Sequence, residues 1–562
     1  MNLEKKQLTF EELEKIKKSA NMARGAILQM TTLAKSGHPG GSMSTIDFLL
    51  TLYHLINIDP KNPLWEKRDR VIVSNGHISP ALYATLGMMG FFNLDEAISQ
   101  FRLAGSIFEG HIEPSVPGVE WATGNLGQGL SAGIGFADLA NVTAFIDYNK
   151  LQISGNIAKV MPQNIKDNYI SDGWTVIEID GHDFAQIQNA IFEAVKGWTV
   201  IEIDGHDFAQ IQNAIFEAVK TPNPTLILAN TIMGKGVSFM ENKEKYHGSV
   251  LSEEQLNQAL SELGLANNLE KYKKMRENFK PLPNSGKSDK DFSLKTGKSI
   301  IYSEKTDNRS AWGNAIADIA VLNSTEENKK LLAVFDCDLQ GSVKTNSFEK
   351  NLPENFYESG IMEHHTAVMS GAMSKDGIQV FFADFGVFGI DETYNQHRLN
   401  DINETNLKVI TTHVGLDVGE DGKTHQCIDY LGVMKNLYHF KILVPADANQ
   451  TDHIIRYVAG KRGNYLVAMG RSKLEIIKDE NGKIFFDENY RFEFGKADLL
   501  RDGTNAALLT MGTLTGRALE IAKILSEQGI SLQVWNFSAP TELDEEALKK
   551  AAQTGTIFTY ED

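Results

Sequence analysis

Six of the chain's 14 histidines lie in short phrases dense in glycine, aspartate or serine. They are His38 in SGHPGGSM, His77 in SNGH, His111 in EGHIEP, His247 in KYHG, His413 in TTHVG and His425 in GEDGKTHQ. Imidazole is the side chain whose unperturbed titration falls nearest neutral pH. Glycine beside a polar side chain lets backbone approach a ligand closely, and sites are built in such loops. One phrase alone is a weak signal. Six together point to a large polar pocket that handles protons and anions.

Other phrases carry two readings each. Glu363, in ESGIMEHHTAVMSGAM, is either a first-turn acid favoured by the helix dipole or a buried carboxyl that hydrogen-bonds a heterocycle nitrogen. FFADFGVF supplies Phe381, Phe382, Phe385 and Phe388, as core or as a ring platform against a flat cofactor. TGNLGQG, with Gly124 and Leu126, is a glycine-rich turn opening a helix, suited to a diphosphate or to tight packing. Asn149 follows a strand in IDYNKLQISG, where open α/β sheets place ligands, although asparagine there is commonly a turn residue. Arg309 and Arg471 read as surface arginines, or with Ser342 and His413 as a phosphate clamp. The GHD turns at His182 and His206 read as structural, with Asp183 and Asp207 as helix N-caps. Adjacent His364 and His365 lack metal-ligand spacing.

Elements must position these groups. From Phe10 to about Tyr246, helical segments alternate with the β-branched runs Arg70–Ser74, Val142–Asp147, Thr175–Asp180 and Thr225–Asn230. Continuous apolar runs between helices predict parallel strands covered on both faces. Lys280–Lys298, rich in Pro, Gly, Ser and Lys, is a linker candidate. A second α/β unit follows, with strands expected near Leu331–Phe335, Gln379–Phe382, Lys408–Thr412 and Lys441–Val444. A third starts near Thr504, with strands at Ala506–Thr510, Leu532–Trp535 and Thr556–Tyr560. The last strand needs a covering helix, so the expectation is a truncated third domain. The fold class is therefore α/β: successive doubly wound parallel-sheet domains plus an incomplete C-terminal α/β domain.

Composition narrows the function. At 562 residues the chain exceeds one core, and 42% hydrophobic with 23% charged residues is ordinary for a globular protein. A net charge of -18 argues against a general nucleic-acid surface. Two distant cysteines, Cys337 and Cys427, suit a reducing cytoplasm. The N-terminus carries no apolar secretion signal; Thr9 with Glu12 reads as a capping box. The longest apolar stretch, Phe48–Ile58, is far short of a membrane span.

Two anomalies stand out. Gly173–Lys196 is repeated without one change as Gly197–Lys220, so the second strand–turn–helix must add a βα unit or loop out. At Ala140–Asn141 a helix-like run passes into a strand almost without turn residues, which suggests a missing segment.

In order along nearly the whole chain, SGHPGGSM, SNGH, GNLGQG, DYN, the late KYHG, GIMEHH and GEDGKTHQ with Arg471 resemble the transketolase family. The resemblance implies transfer of two-carbon ketol units between sugar phosphates, in the pentose phosphate pathway, by a cytoplasmic homodimer. It implies thiamine diphosphate with Mg²⁺ or Ca²⁺, held between the first domain of one chain and the second of the other. It implies a diphosphate-binding domain over 1–279, a linker over 280–298, a pyrimidine-binding domain over 299–475 and a truncated C-terminal domain over 476–562. Glu363 would contact the aminopyrimidine, and Phe385 would stack on it beside Phe388. Asn149 and the Leu151 backbone would ligate the metal, and Gly124 and Leu126 would lie at the cofactor. His38, His77, His111, His247 and His425 would line the substrate channel and move protons, with His77 and His247 also at the cofactor. Arg309, Ser342, His413 and Arg471 would hold the sugar's phosphate, and Asp421 would read the acceptor's hydroxyl. One departure is clear: the family's Gly-Asp-Gly segment, whose Asp ligates the metal, has no match and belongs at Ala140–Asn141. That leaves two alternatives: a catalytically impaired or defective homologue, and a related deoxyxylulose-phosphate-synthase-like or other ketolase.

Overall fold

A computed structural model of the chain describes residues 9–124, 126–137, 142–152, 155–157, 175–177, 199–220, 225–281 and 294–561. Contacts divide the chain into two compact units, Met1–Ser285 and Gly286–Asp562.

The first unit opens on α1 (Phe10–Ala34). As expected, the Thr9 side chain accepts the Glu12 N–H at 3.3 Å, and Glu12 accepts the Thr9 N–H at 2.7 Å. Helix α2 (Pro39–Leu55) starts with a proline, whose missing N–H costs nothing at a first turn. It is buried along almost its full length, between α1 and α3 (Ser79–Met89). Two shorter helices follow, α4 (Leu94–Gln100) and α5 (Gly129–Phe136).

The sheet of this unit is parallel. It comprises β1 (Thr143–Tyr148), β4 (Thr175–Ile177), β5 (Thr199–Asp204) and β6 (Thr225–Asn230), in the order β1-β6-β5-β4. A two-residue pair, β2 (Leu151–Gln152) and β3 (Gly155–Asn156), follows β1. The tandem copies resolve into neighbours: Thr175 of the first lies opposite Thr199 of the second, one repeat length away. The second copy therefore occupies the inner seat beside β6, and the first adds a strand outside it. Helix α6 (Phe208–Lys220) packs Ile211, Ala214, Ile215 and Ala218 into the core. Asp207 caps it, accepting the Ala209 and Gln210 N–H groups at 2.9 and 3.0 Å. His182 and Asp183, the Ala140–Asn141 junction and most of the Lys280–Lys298 linker lie outside the described residues.

One strand expectation fails. Arg70–Ser74 pairs with no strand among the described residues. A β-branched run becomes a strand only where a neighbour pairs it.

In the second unit a parallel sheet runs in the order β12-β13-β11-β10-β8-β9. Its strands are β8 (Leu332–Asp336), β9 (Phe356–Glu358), β10 (Gln379–Phe385), β11 (Leu407–Thr412), β12 (Phe440–Leu443) and β13 (Asn464–Ala468). All seven residues of β10 are buried, as befits a strand covered on both faces. The covering helices include α7 (Asn308–Leu322), α8 (Glu363–Ser374) and α9 (Ala448–Ala459). Trp312, Phe348, Phe381 and Tyr465 fill this core, each buried ring contributing about 1.5–3 kcal/mol. A short antiparallel pair joins β7 (Thr306–Asp307) to β14 (Lys473–Leu474). The last sheet, β15-β17-β16-β18, holds β15 (Asp498–Arg501), β16 (Ala506–Thr510), β17 (Leu532–Asn536) and β18 (Ile557–Tyr560). Only β15 runs antiparallel to its neighbour. No helix among the described residues is long and apolar enough to cross a membrane.

Candidate active site

In the first unit four of the six histidines converge. Ring centroids of His38 lie 5.1 Å from His77, 6.1 Å from His111 and 5.7 Å from His247, and His77 lies 5.2 Å from His247. Each comes from a different turn. His38 precedes α2, His77 sits in the turn Gly76–Ile78 ahead of α3, and His247 ends the turn Glu244–His247. His111 rides on a loop whose Gly110 and His111 carbonyls accept from the Ser79 and Tyr83 hydroxyls. Two glycines make the convergence possible. A Cβ at Gly40 would lie 2.7 Å from the Tyr246 carbonyl, and one at Gly76 would collide with the Thr123 carbonyl.

The rings are neutral at pH 7. Burial, the neighbouring imidazoles and Arg102 push His38 down to about 4, and burial with the other three histidines takes His77 to about 4. His247 is lowered by burial, and His111 by burial and Arg102. The Nδ1 atoms of His38, His77 and His247 are buried without a hydrogen-bond partner. Buried polar atoms are normally paired, so these three are poised for a ligand.

Asn149 stands just past β1, its side-chain carbonyl accepting the Leu151 N–H at 3.0 Å and its amide 3.4 Å from Asp147. Asp147 also accepts from Ser44 at 2.7 Å, Thr45 at 3.0 Å and the Thr231 hydroxyl. The strand end is thereby tied to the same helix that His38 opens. Gly124 and Leu126 are exposed in the turn before α5.

Residues missed from sequence complete the frame. His206, read only as part of a turn, receives the Ile232 N–H on Nε2 and contacts Asp47 through Nδ1, both at 2.7 Å. Arg24 meets Asp47 at 2.7 Å with both side chains buried. Desolvation opposes charge on Asp47, yet Arg24 and His206 hold its carboxyl below the usual range. Arg102, whose charge lowers both His38 and His111, donates to the Ser36 hydroxyl at 2.6 Å. Nothing in its phrase marked it.

In the second unit Phe385 and Phe388 stack at 6.1 Å and 16°. Phe385 lies 3.8 Å from His413, and Phe388 meets His425 edge-on at 5.4 Å. Three of the four rings are core: Phe381 and Phe382 are fully buried and Phe385 nearly so, while Phe388 packs against that core. Arg309 donates to the Ser342 carbonyl at 3.1 Å and lies 3.5 Å from His413 Nε2. His413 is 2% exposed and pushed down to about 3 by burial and by Arg309, Arg471 and His425. It is a neutral, nearly enclosed ring, poorly suited to pairing with phosphate by charge. Arg471 donates to the Val418 carbonyl and lies 3.0 Å from Glu420 and 3.8 Å from Asp421. Glu363 is buried at the first position of α8, close to Asp384 and Cys337. Both cysteines are buried free thiols.

Comparison with known proteins decides what this arrangement belongs to. The family model described as transketolase, thiamine diphosphate binding domain, matches residues 16–141, 135–196 and 192–295. The pyrimidine binding domain of transketolase matches 308–476, and its C-terminal domain 495–562. The chain belongs to the transketolase family. Its relatives include transketolases of mouse (Mus musculus) and human (Homo sapiens), each 26% identical over 606 aligned positions. Both alignments cover 98% of this chain and 89% of the relative. The aligned positions outnumber the chain's 562 residues, so relatives carry internal residues that this transferase lacks. Breaks in the match at 135–141 and 192–196 coincide with the tight junction and the duplication. Among solved structures, transketolase of Campylobacter jejuni superposes with a TM-score of 0.80 at 24% identity, covering 98% of this chain and 92% of that one. Transketolase from Leishmania mexicana gives 0.79 at 21%, covering 97% and 90%.

Proposed function

We propose that the chain is a ketol transferase that moves a two-carbon unit from a ketose phosphate of the xylulose 5-phosphate type to an aldose phosphate. The observation that carries this is the cluster of four neutral histidines with three unpartnered Nδ1 atoms. Neutral imidazoles accept and return hydroxyl protons at pH 7, which carbon–carbon bond cleavage in a polyol phosphate requires. Thiamine diphosphate, when bound, supplies the electron sink for that cleavage.

The residues present fit the organic part of that cofactor. Glu363 presents a buried carboxyl at a helix start, and Phe385 with Phe388 offers flat apolar faces. His77 and His247 bring unpartnered nitrogens. Leu126 and Gly124 leave an open turn beside α5. Besides the Val418 carbonyl, Arg471 meets only exposed carboxylates, ion pairs worth about 0–1 kcal/mol, so a phosphate displaces them readily. Arg309 and Ser342 would flank that phosphate, with His413 as a neutral neighbour and Asp421 and His425 facing the sugar.

For the divalent cation the fit is poorer. Asn149 and the Leu151 carbonyl are two neutral oxygens, and Mg²⁺ prefers six oxygens in near-octahedral order. No Gly-Asp-Gly carboxylate is available in the sequence. We therefore assign the domains as 1–279, 299–475 and 476–562 around the 280–298 linker, in a cytoplasmic homodimer whose sites join two chains. Cation binding is its weakest step. A second reading, an impaired homologue, follows from that same missing ligand.

Calorimetry with thiamine diphosphate and Mg²⁺, then turnover of xylulose 5-phosphate with ribose 5-phosphate, separates the two. Saturable binding and turnover support the transferase. Binding restored only after a Gly-Asp-Gly segment is inserted at Ala140–Asn141 supports the impaired homologue. Turnover without a phosphorylated aldose would point to another ketolase.

A further inference from the structure

Asp384 is the penultimate residue of β10, immediately before the ring of Phe385, and it is fully buried. Its Oδ1 accepts the Phe385 N–H at 2.7 Å, while Oδ2 has no hydrogen-bond partner. One donor atom each from Asp384, Glu363 and Cys337 lies within 4.8 Å of the others. Gly389 lets the strand close down here, since a Cβ on it would sit 2.9 Å from the Asp384 Cβ.

Three acidic side chains act on Asp384. Glu363 faces it from α8, Asp336 from the end of β8, and Glu392 from the turn after β10. The Cys337 thiol beside it is kept neutral, raised by burial and by the two carboxyls. Two carboxyls this close and away from water repel when both are charged.

We propose that Asp384 and Glu363 share one negative charge, with the proton held on Asp384, which makes Asp384 a positioning residue behind Glu363. The asymmetry follows from the backbone. Glu363 opens a 12-residue helix, whose dipole favours negative charge at that end. Asp384 has no such support, and burial pushes its carboxyl well above the ordinary range. A protonated acid also brings an O–H donor that a carboxylate lacks. The pocket then meets a heterocycle with one acceptor, Glu363, and one donor rather than two repelling anions. That last link rests on the cofactor reading given above. The shared proton does not.

Infrared spectroscopy of the chelator-treated apoprotein at about pH 8 tests the proton alone. Asp336, Asp447 and Asp498 are raised only to about 6, so they are ionised there. A carbonyl band of a protonated carboxyl is expected in the natural protein, and its loss in D384N. E363Q removes the paired charge and should shift the band's frequency or abolish it as Asp384 ionises, which serves as the decisive measurement if D384N does not fold. Absence of the band from the natural protein, its persistence in D384N, or an unchanged band in E363Q overturns the proposal. A second readout is the melting temperature. The folded state keeps a proton that the unfolded chain releases above the carboxylate range, so stability falls as pH rises. D384N should fall less than the natural protein over that rise; an equal fall overturns the proposal.

Discussion

His38 is the hub of the first-unit cluster, within 6.1 Å of three other imidazoles. Removing a general acid–base group at such a position costs about 10²–10⁴-fold in rate. H38N should therefore lower kcat/KM by about a hundredfold while thiamine diphosphate still binds, measured by steady-state kinetics beside calorimetry. The direction of the pKa shift also sets the response to acid. His38 and His77 fall from the ordinary 6.5 to about 4 in the folded protein. Between those values the unfolded chain takes up protons that the folded cluster refuses, so the stability held above pH 6.5 is lost as pH falls toward 4. A double H38N, H77N variant should show a flatter loss of melting temperature over that window. These residues were legible because imidazole in a glycine-rich phrase is an unusual combination. Arg102 was not, because a half-buried arginine looks in sequence like any surface arginine. Asp384 was overlooked for a different reason: in FFADFGVF the rings dominate, and only the fold brings Glu363 to it.

At the scale of elements, most strands were readable as apolar runs, and their observed limits differ from expectation by a residue or two at most ends. β10 runs further than expected, to Phe385, because Ala383 and Asp384 continue the ladder with β11, and β9, β13 and β15 were not expected at all. Periodicity alone does not anticipate a buried aspartate in a central strand. The same blind spot hid the role of the GHD turn. His206 ties the end of β5 to α2 through Asp47 and to the backbone of Ile232, a role invisible without the long-range neighbours. Truncating one partner of a buried, charge-bearing network costs about 3–5 kcal/mol. H206A should accordingly lower the unfolding free energy of the first unit by that order, measured by denaturant titration. H206Q, which can still hydrogen-bond, should recover part of the loss.

Over the whole molecule, the order of motifs along the chain was enough to name the family, and three successive domain matches agree with it. Spatial grouping within each unit was not available from sequence. His413 shows why: its phrase suggested a place beside an anion, and only the fold shows that it also lies against Phe385. A net charge of -18 also means that, on the function proposed above, an anionic substrate would approach through a repulsive field, with the local cations Arg309 and Arg471 acting at short range.

The pairing of β4 with β5 has its own physical result. Each residue from Thr175 to Ile177 lies opposite its own duplicate, parallel and in register, which is how identical segments stack in fibrils. Among the described residues no strand pairs with the outer rim of β4, and such a rim is a template for a third segment of the same wording, of which every other molecule in solution carries two. Crowding should then favour chain-to-chain growth at this rim. Light scattering at rising concentration should show the full chain associating before a variant lacking one 24-residue copy.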